Sequence, residues 1–280
     1  MNALELKHVY KQYGDFSIRD MNLSLPQGCI MGLVGENGAG KTTTIRMLLG
    51  MTAPDSGEII VLGRPQGPGF DQVKEELGVV LDEPGFPDPL SARQIGKIMA
   101  RTYRRWDDSA YRRYMKAFDI PEEKNFKDYS RGMKMKLSIA VALSHDPKLL
   151  LLDEATSGLD PVIRDEILEM FFEFTRREDR SILLSSHIVS DLEKLCDYIA
   201  FLHRGKLLIV EEKDLLLERF GLFHGSAAQA AALPHEAVWG QKATPYGVEV
   251  LVERNRTEGL SLSRLSMEEL FVYMTKEVQA

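Results

Sequence analysis

The stretch Gly35-Glu36-Asn37-Gly38-Ala39-Gly40-Lys41-Thr42 constrains this chain more than any other, because it matches G-x-x-x-x-G-K-[ST] and stands between the two elements such a loop needs. Ahead of it the apolar Cys29-Ile30-Met31-Gly32-Leu33-Val34 reads as a buried strand. Behind it Thr42-Thr43-Thr44-Ile45-Arg46-Met47-Leu48-Leu49 puts Ile45, Leu48 and Leu49 on one helix face, closed by Gly50. In that order the backbone N–H groups of Gly35, Glu36, Asn37, Gly38, Ala39 and Gly40 turn inward around phosphates, and the helix N-terminus adds positive potential. Lys41 then reaches the β- and γ-phosphates of a triphosphate, and the Thr42 hydroxyl reaches a Mg²⁺ ion beside Thr43.

The charge balance excludes some partners. Lys+Arg 35 against Asp+Glu 42 leaves −7 over 280 residues, so no global pull toward nucleic acid or an anionic membrane exists. Met1 to Lys7 lacks the basic-then-apolar layout of a signal peptide, and no run approaches the roughly 18 to 20 apolar residues of a membrane-spanning helix. The chain is expected in the cytoplasm, with any membrane contact made through a protein partner. Cys29 and Cys196 have no metal-ligand spacing and read as small core residues.

Along the chain, residues 4–10 and 16–25 alternate apolar and polar and predict a small antiparallel sheet leading into the nucleotide strand. Tyr13 lies between those strands, where its ring can stack on a base. Glu58–Gly63 and Leu77–Leu81 read as strands, and after the proline-rich loop that follows Asp82-Glu83, helical patterning over 91–118 predicts an inserted helical subdomain. Its basic-aromatic runs, Arg101–Trp106 and Tyr111–Met115, are broken by Asp107, Asp108 and Asp119, which favours inward aromatics over nucleic-acid contact. Ser130 opens the next helix, either as an N-cap alone or with Gly132 as a second anion site. Lys148–Glu154 is a buried strand ending in two carboxylates; beside a triphosphate, Asp153 suits the Mg²⁺ shell and Glu154 the attacking water. Ser181–His187 is another core strand, ending in a His where the ligand crevice of a doubly wound sheet lies. Tyr198–Ile209 reads as a hairpin with its turn near 203–206. Beyond Gly221 the chain reads as a small α+β appendage: Gly225–Ala232 as helix or linker, Glu249–Glu253 as strand, and a capping box at Ser266–Glu269 starting a last helix through Lys276.

Taken together, these residues resemble the nucleotide-binding subunit of an ATP-binding cassette (ABC) transporter over about residues 2–220, most closely the drug- and peptide-export branch. Gly35–Thr42 resembles Walker A, Leu149–Glu154 Walker B, Ser157–Asp160 the D-loop, His187 the switch histidine and Tyr13 the adenine-stacking aromatic. Tyr129-Ser130-Arg131-Gly132-Met133 resembles the family signature, with Arg131 and Met133 in place of Gly and Gln. Where the family carries a Gln, this chain has Asp82-Glu83, so either Asp82 or a water-bridged Glu83 takes over the Mg²⁺ contact or that contact is lost and both carboxylates face solvent.

The resemblance implies an α/β P-loop NTPase core with an antiparallel β subdomain. It implies a helical subdomain at about 83–145 within an ATPase domain of residues 1–220, and an accessory domain at 221–280. The implied activity is ATP hydrolysis by Lys41, Glu154 and His187, with Asp160 near the nucleotide, driving export through a separate transmembrane permease at the inner face of the membrane. The working unit would be two cassettes, with Ser130 and Gly132 acting on the partner's ATP. The alternative is a soluble ABC protein acting on ribosomes or DNA. Such chains usually carry two cassettes or a long coiled-coil insert, and this one has neither.

Overall fold

A computed structural model describes residues 1–257 and 259–275. Its centre is a six-stranded sheet in the spatial order Lys206–Glu212, Tyr198–His203, Ile30–Val34, Ser181–Ser186, Leu149–Asp153, Leu77–Val80. All neighbours are parallel except the Lys206–Glu212 edge. The strands Ile30–Val34, Leu149–Asp153 and Ser181–Ser186 are buried along their whole length. That is the consequence of covering a parallel sheet on both faces, and it explains why their sequences are continuous rather than alternating.

The predicted antiparallel layer is present and longer than expected. Asn2–Tyr13 pairs with Phe16–Pro26 in a tight hairpin, and Ser56–Val61 and Arg64–Pro65 complete a four-stranded sheet. The strand before the glycine loop begins at Ile30, one residue later than expected, and Cys29 is partly exposed rather than in the core. Cys196 is fully buried, as expected: its Sγ would lie 3.0 Å from a Cβ on Gly32, and burial pushes its thiol pKa up. Here glycine is required by close helix-to-strand approach.

The helical patterning over 91–118 resolves into two helices. Ala92–Thr102 starts from a Ser91–Gln94 capping box, the chain turns at Tyr103–Asp107, and Asp108–Ala117 follows with Asp107 accepting from the Ser109 and Ala110 amides. The aromatics do turn inward: Tyr111 is buried and its hydroxyl donates to the Ala92 carbonyl at 2.8 Å. Helix Arg131–Leu143 packs against strand Leu77–Val80.

The appendage is a three-stranded antiparallel sheet, Phe220–Gly225, Gly247–Glu253, Val238–Thr244, with helix Met267–Thr275 over it. The small-residue stretch forms a short helix, Ala227–Ala231, with a Ser226–Gln229 capping box. The capping box at Ser266–Glu269 is also present, with the Ser266 amide donating to Glu269 at 2.8 Å. Lys276, the expected helix end, lies outside the described residues. Leu222, Leu251, Leu270 and Met274 share one apolar core with Leu192 and Phe201 of the central layer, and Phe271 stacks on Phe201 at 5.8 Å.

Candidate functional site

The carboxyl ends of four neighbouring central strands deliver the site. Ile30–Val34 runs into the glycine loop, Leu77–Val80 leads to Asp82, Leu149–Asp153 to Glu154 and Ser181–Ser186 to His187. This is the position where open α/β sheets bind ligands. A cavity of about 530 Å³ lies there, lined by Glu36, Asn37, Gly38, Gly40, Lys41, Thr42, Thr43, Asp82, Glu154 and His187 of the expected residues, and by Phe16, Arg131 and Ser157.

The glycines are there for geometry. A Cβ on Gly35 would stand 2.4 Å from the Leu202 carbonyl oxygen, and Gly38 and Gly40 have φ of 82° and 113°. Lys41 begins helix Lys41–Leu48 and is buried. Its Nζ donates to the Gly35 carbonyl at 2.8 Å and the Glu36 carbonyl at 3.3 Å, and lies 3.4 Å from Glu154 Oε1.

Glu154 sits in the left-handed region at φ 52°, uncommon for a side chain of its size. The local geometry is held by its amide, which donates to the Ser185 carbonyl at 3.1 Å and the Ser185 hydroxyl at 3.3 Å. This turn brings its carboxylate out of the strand and between two cation-forming groups, with His187 Nδ1 2.7 Å from Oε2. Asp153, one residue earlier, stays buried at 1% exposure, and its Oδ1 accepts from the Ser185 hydroxyl at 2.5 Å. Ser185 therefore holds the Asp153 carboxylate and the Glu154 backbone, a role that nothing in the sequence singled out. Behind His187, Asp191 is buried in the first turn of helix Val189–Leu195, and burial raises its carboxyl pKa.

Several expected residues do not line the cavity: Tyr13, Gly35, Ala39, Ser130, Gly132, Asp153 and Asp160. Tyr13 pairs with Phe16 across the hairpin, and its hydroxyl donates to Thr52 at 3.1 Å. Phe16 is the ring at the cavity, 3.0 Å from where a Cβ on Gly40 would stand. Ser130 is exposed and caps helix Arg131–Leu143 by accepting from the Met133 amide at 3.2 Å. Asp160 is likewise exposed and caps helix Pro161–Phe174 by accepting from the Ile163 amide at 3.1 Å. Asp82 reaches the cavity, but its Oδ1 accepts from Arg131 Nη2 at 2.6 Å. Among the described residues no group of three or more His, Cys, Asp or Glu is arranged to hold a metal by itself. The oxygen donors of Thr42 and Asp153 suit a hard cation that also takes phosphate oxygens, and Ser185 occupies only one oxygen of Asp153.

Comparison with known proteins agrees with this geometry. Residues 18–157 match the family described as ABC transporter. The chain is 34% identical over 216 residues to the bacitracin transport ATP-binding protein BcrA of Enterococcus faecalis, covering 76% of this chain and 70% of that protein. It is 38% identical over 201 residues to the BcrA of Bacillus licheniformis, covering 71% of this chain and 66%, just under two thirds, of that protein. A solved ATP-binding subunit of an ABC transporter superposes with a TM-score of 0.71 at 27% identity, covering 77% of this chain and 92% of its own.

Proposed function

The chain belongs to the ABC transporter family, and from that premise we propose that it is the ATP-binding and ATP-hydrolysing subunit that powers export of a substrate through a separate transmembrane permease. The observation that carries this reading is the unbroken contact series from Lys41 through Glu154 to His187 at one cavity.

The roles follow from the contacts. The Lys41 ammonium exchanges its carbonyl partners for the β- and γ-phosphates, while the amides around Gly38 and Gly40 and the start of helix Lys41–Leu48 receive the remaining phosphate oxygens. Glu154, held out of its strand by Ser185, accepts the proton of the attacking water. His187 fixes that carboxylate through Nδ1, which leaves Nε2 for a second partner. Thr42 and the free oxygen of Asp153 would hold Mg²⁺, which when bound neutralises charge developing on the phosphates. The adenine ring stacks on Phe16 or Tyr13.

Ser130, Gly132 and Asp160 stand outside the cavity of their own chain, which supports assigning them to the nucleotide of a second cassette. Among the described residues no helix is long and apolar enough to cross a membrane, which supports a permease on other chains and a place at the cytoplasmic face of the membrane. Residues 1–220 are assigned to the ATPase and 221–280 to an accessory domain.

Phosphate release from ATP by the purified chain tests the reading. Hydrolysis is expected with Mg²⁺, falling to background on chelation and returning when Mg²⁺ is restored; no hydrolysis in any of the three conditions would overturn it.

A further inference from the structure

Asp82 and Arg131, two positions where this chain departs from the family pattern, meet each other in the structure. Arg131 Nη2 donates to Asp82 Oδ1 at 2.6 Å, and both side chains line the cavity that also holds Lys41 and Glu154. The guanidinium has a defined seat. Its Cδ and Nε lie 3.4 Å from where a Cβ on Gly158 would stand, and Gly158, at φ 73°, leaves that space open. The pair thus ties the loop after strand Leu77–Val80 to the first turn of helix Arg131–Leu143. Lys134 and Glu83 share a neighbouring hollow with the pair, and Lys134 lies over the Phe126 ring at 4.9 Å. Asp82 and Arg131 are about half exposed, at 46% and 57% of their side chains, so each remains accessible to a competing charge.

We propose that Asp82 and Arg131 together set how strongly this pocket prefers metal-bound over metal-free ATP, an inference that rests on the ATPase reading above. The reason is charge balance at the cavity wall. An unpaired carboxylate facing the cavity repels a metal-free triphosphate, and a hard cation travelling with the nucleotide relieves that repulsion. An unpaired guanidinium does the opposite, since it attracts the bare phosphates most. Paired, the two cancel. Removing Arg131 therefore exposes the carboxylate and steepens the preference for the metal complex, whereas removing the charge of Asp82 leaves the guanidinium to the phosphates and flattens it. Because the pair is half exposed and screened, each change is about two- to fivefold.

The test is equilibrium binding of a non-hydrolysable ATP analogue to the full chain, in excess Mg²⁺ and in chelator. It compares wild type, Arg131→Gln, Asp82→Asn and the double variant. The quantity read is the ratio of metal-free to metal-bound Kd. The ratio is expected to rise about two- to fivefold in Arg131→Gln, fall by a similar factor in Asp82→Asn and return to near the wild-type value in the double variant. With a wild type that binds, any other pattern overturns the role of the pair while leaving the ATPase reading intact. A wild type that binds in neither condition overturns both.

Discussion

The cavity at the carboxyl ends of the central strands and the three-stranded appendage are built from the same chain by different rules. At the cavity the fold tolerates costly features. Glu154 is held at positive φ, the Lys41 ammonium is buried at 6% exposure, and Asp153 is buried at 1%. Among the described residues after Arg204, no non-glycine residue has positive φ. Among the described residues of the appendage the one strongly buried charge, Glu253, is answered by two arginines, with Arg219 Nε at 2.6 Å and Arg256 Nε at 2.9 Å. Positive φ also occurs at His8, Asp20, Leu62, Asp119, Asp146 and Arg204, so what sets the cavity apart is the conjunction of a strained Glu154 with a buried lysine and a buried carboxylate, which the appendage does not have among its described residues. Changes at the first region should therefore alter turnover, and changes at the second should alter stability.

Lys41→Ala should have the largest effect. It removes the charge that meets the phosphates, which costs about 1.5–3 kcal/mol of binding, or roughly ten- to hundredfold in Kd, and hydrolysis should fall to background. Nucleotide titration and phosphate release on a variant with an unchanged unfolding midpoint check this, and retained turnover would erase the distinction between the two regions. Next comes Gly240→Val in the appendage. A Cβ there would stand 2.2 Å from the Tyr273 carbonyl oxygen, so helix Met267–Thr275 must lift from the sheet. Overpacking of this kind costs about 1–3 kcal/mol, read in urea unfolding, and ATP affinity should not move. A parallel loss of affinity would show that the appendage does more than pack. Smallest is Tyr246→Ser at the tip of the last hairpin, where the ring is 99% exposed. Stability and turnover should both stay at wild type, within about 0.5 kcal/mol, by the same two assays.

The sequence made the cavity legible where function is coded by neighbours. The glycine loop, the paired carboxylates after Leu149–Leu152 and the His after a core strand are local patterns, each at the carboxyl end of a central strand. Residues that meet across the fold stayed hidden. Asp82 and Arg131 are far apart in sequence, and no periodicity points from one to the other. Ser185 looked like any polar residue ending a strand, although it holds both Asp153 and Glu154. Tyr13 was legible as a stacking ring, but Phe16 was not: it sits opposite Tyr13 across a tight hairpin, and its place at the cavity beside Gly40 comes from packing rather than from the local pattern. The appendage was readable at its caps, where Ser266 and Glu269 are three apart. Strand Val238–Thr244 was not, since Val-Trp-Gly-Gln-Lys-Ala-Thr carries little alternation and gains its place from Gly247–Glu253.

Glu154→Gln tests the central claim most directly, because it keeps the size of the side chain while removing its negative charge and with it its capacity to accept a proton. Nucleotide binding and single-turnover hydrolysis should be measured on the same preparation. The account predicts wild-type affinity for ATP with hydrolysis slowed by about 10²–10⁴, the contribution of a general base. Hydrolysis at the wild-type rate would contradict it and remove Glu154 from the reaction.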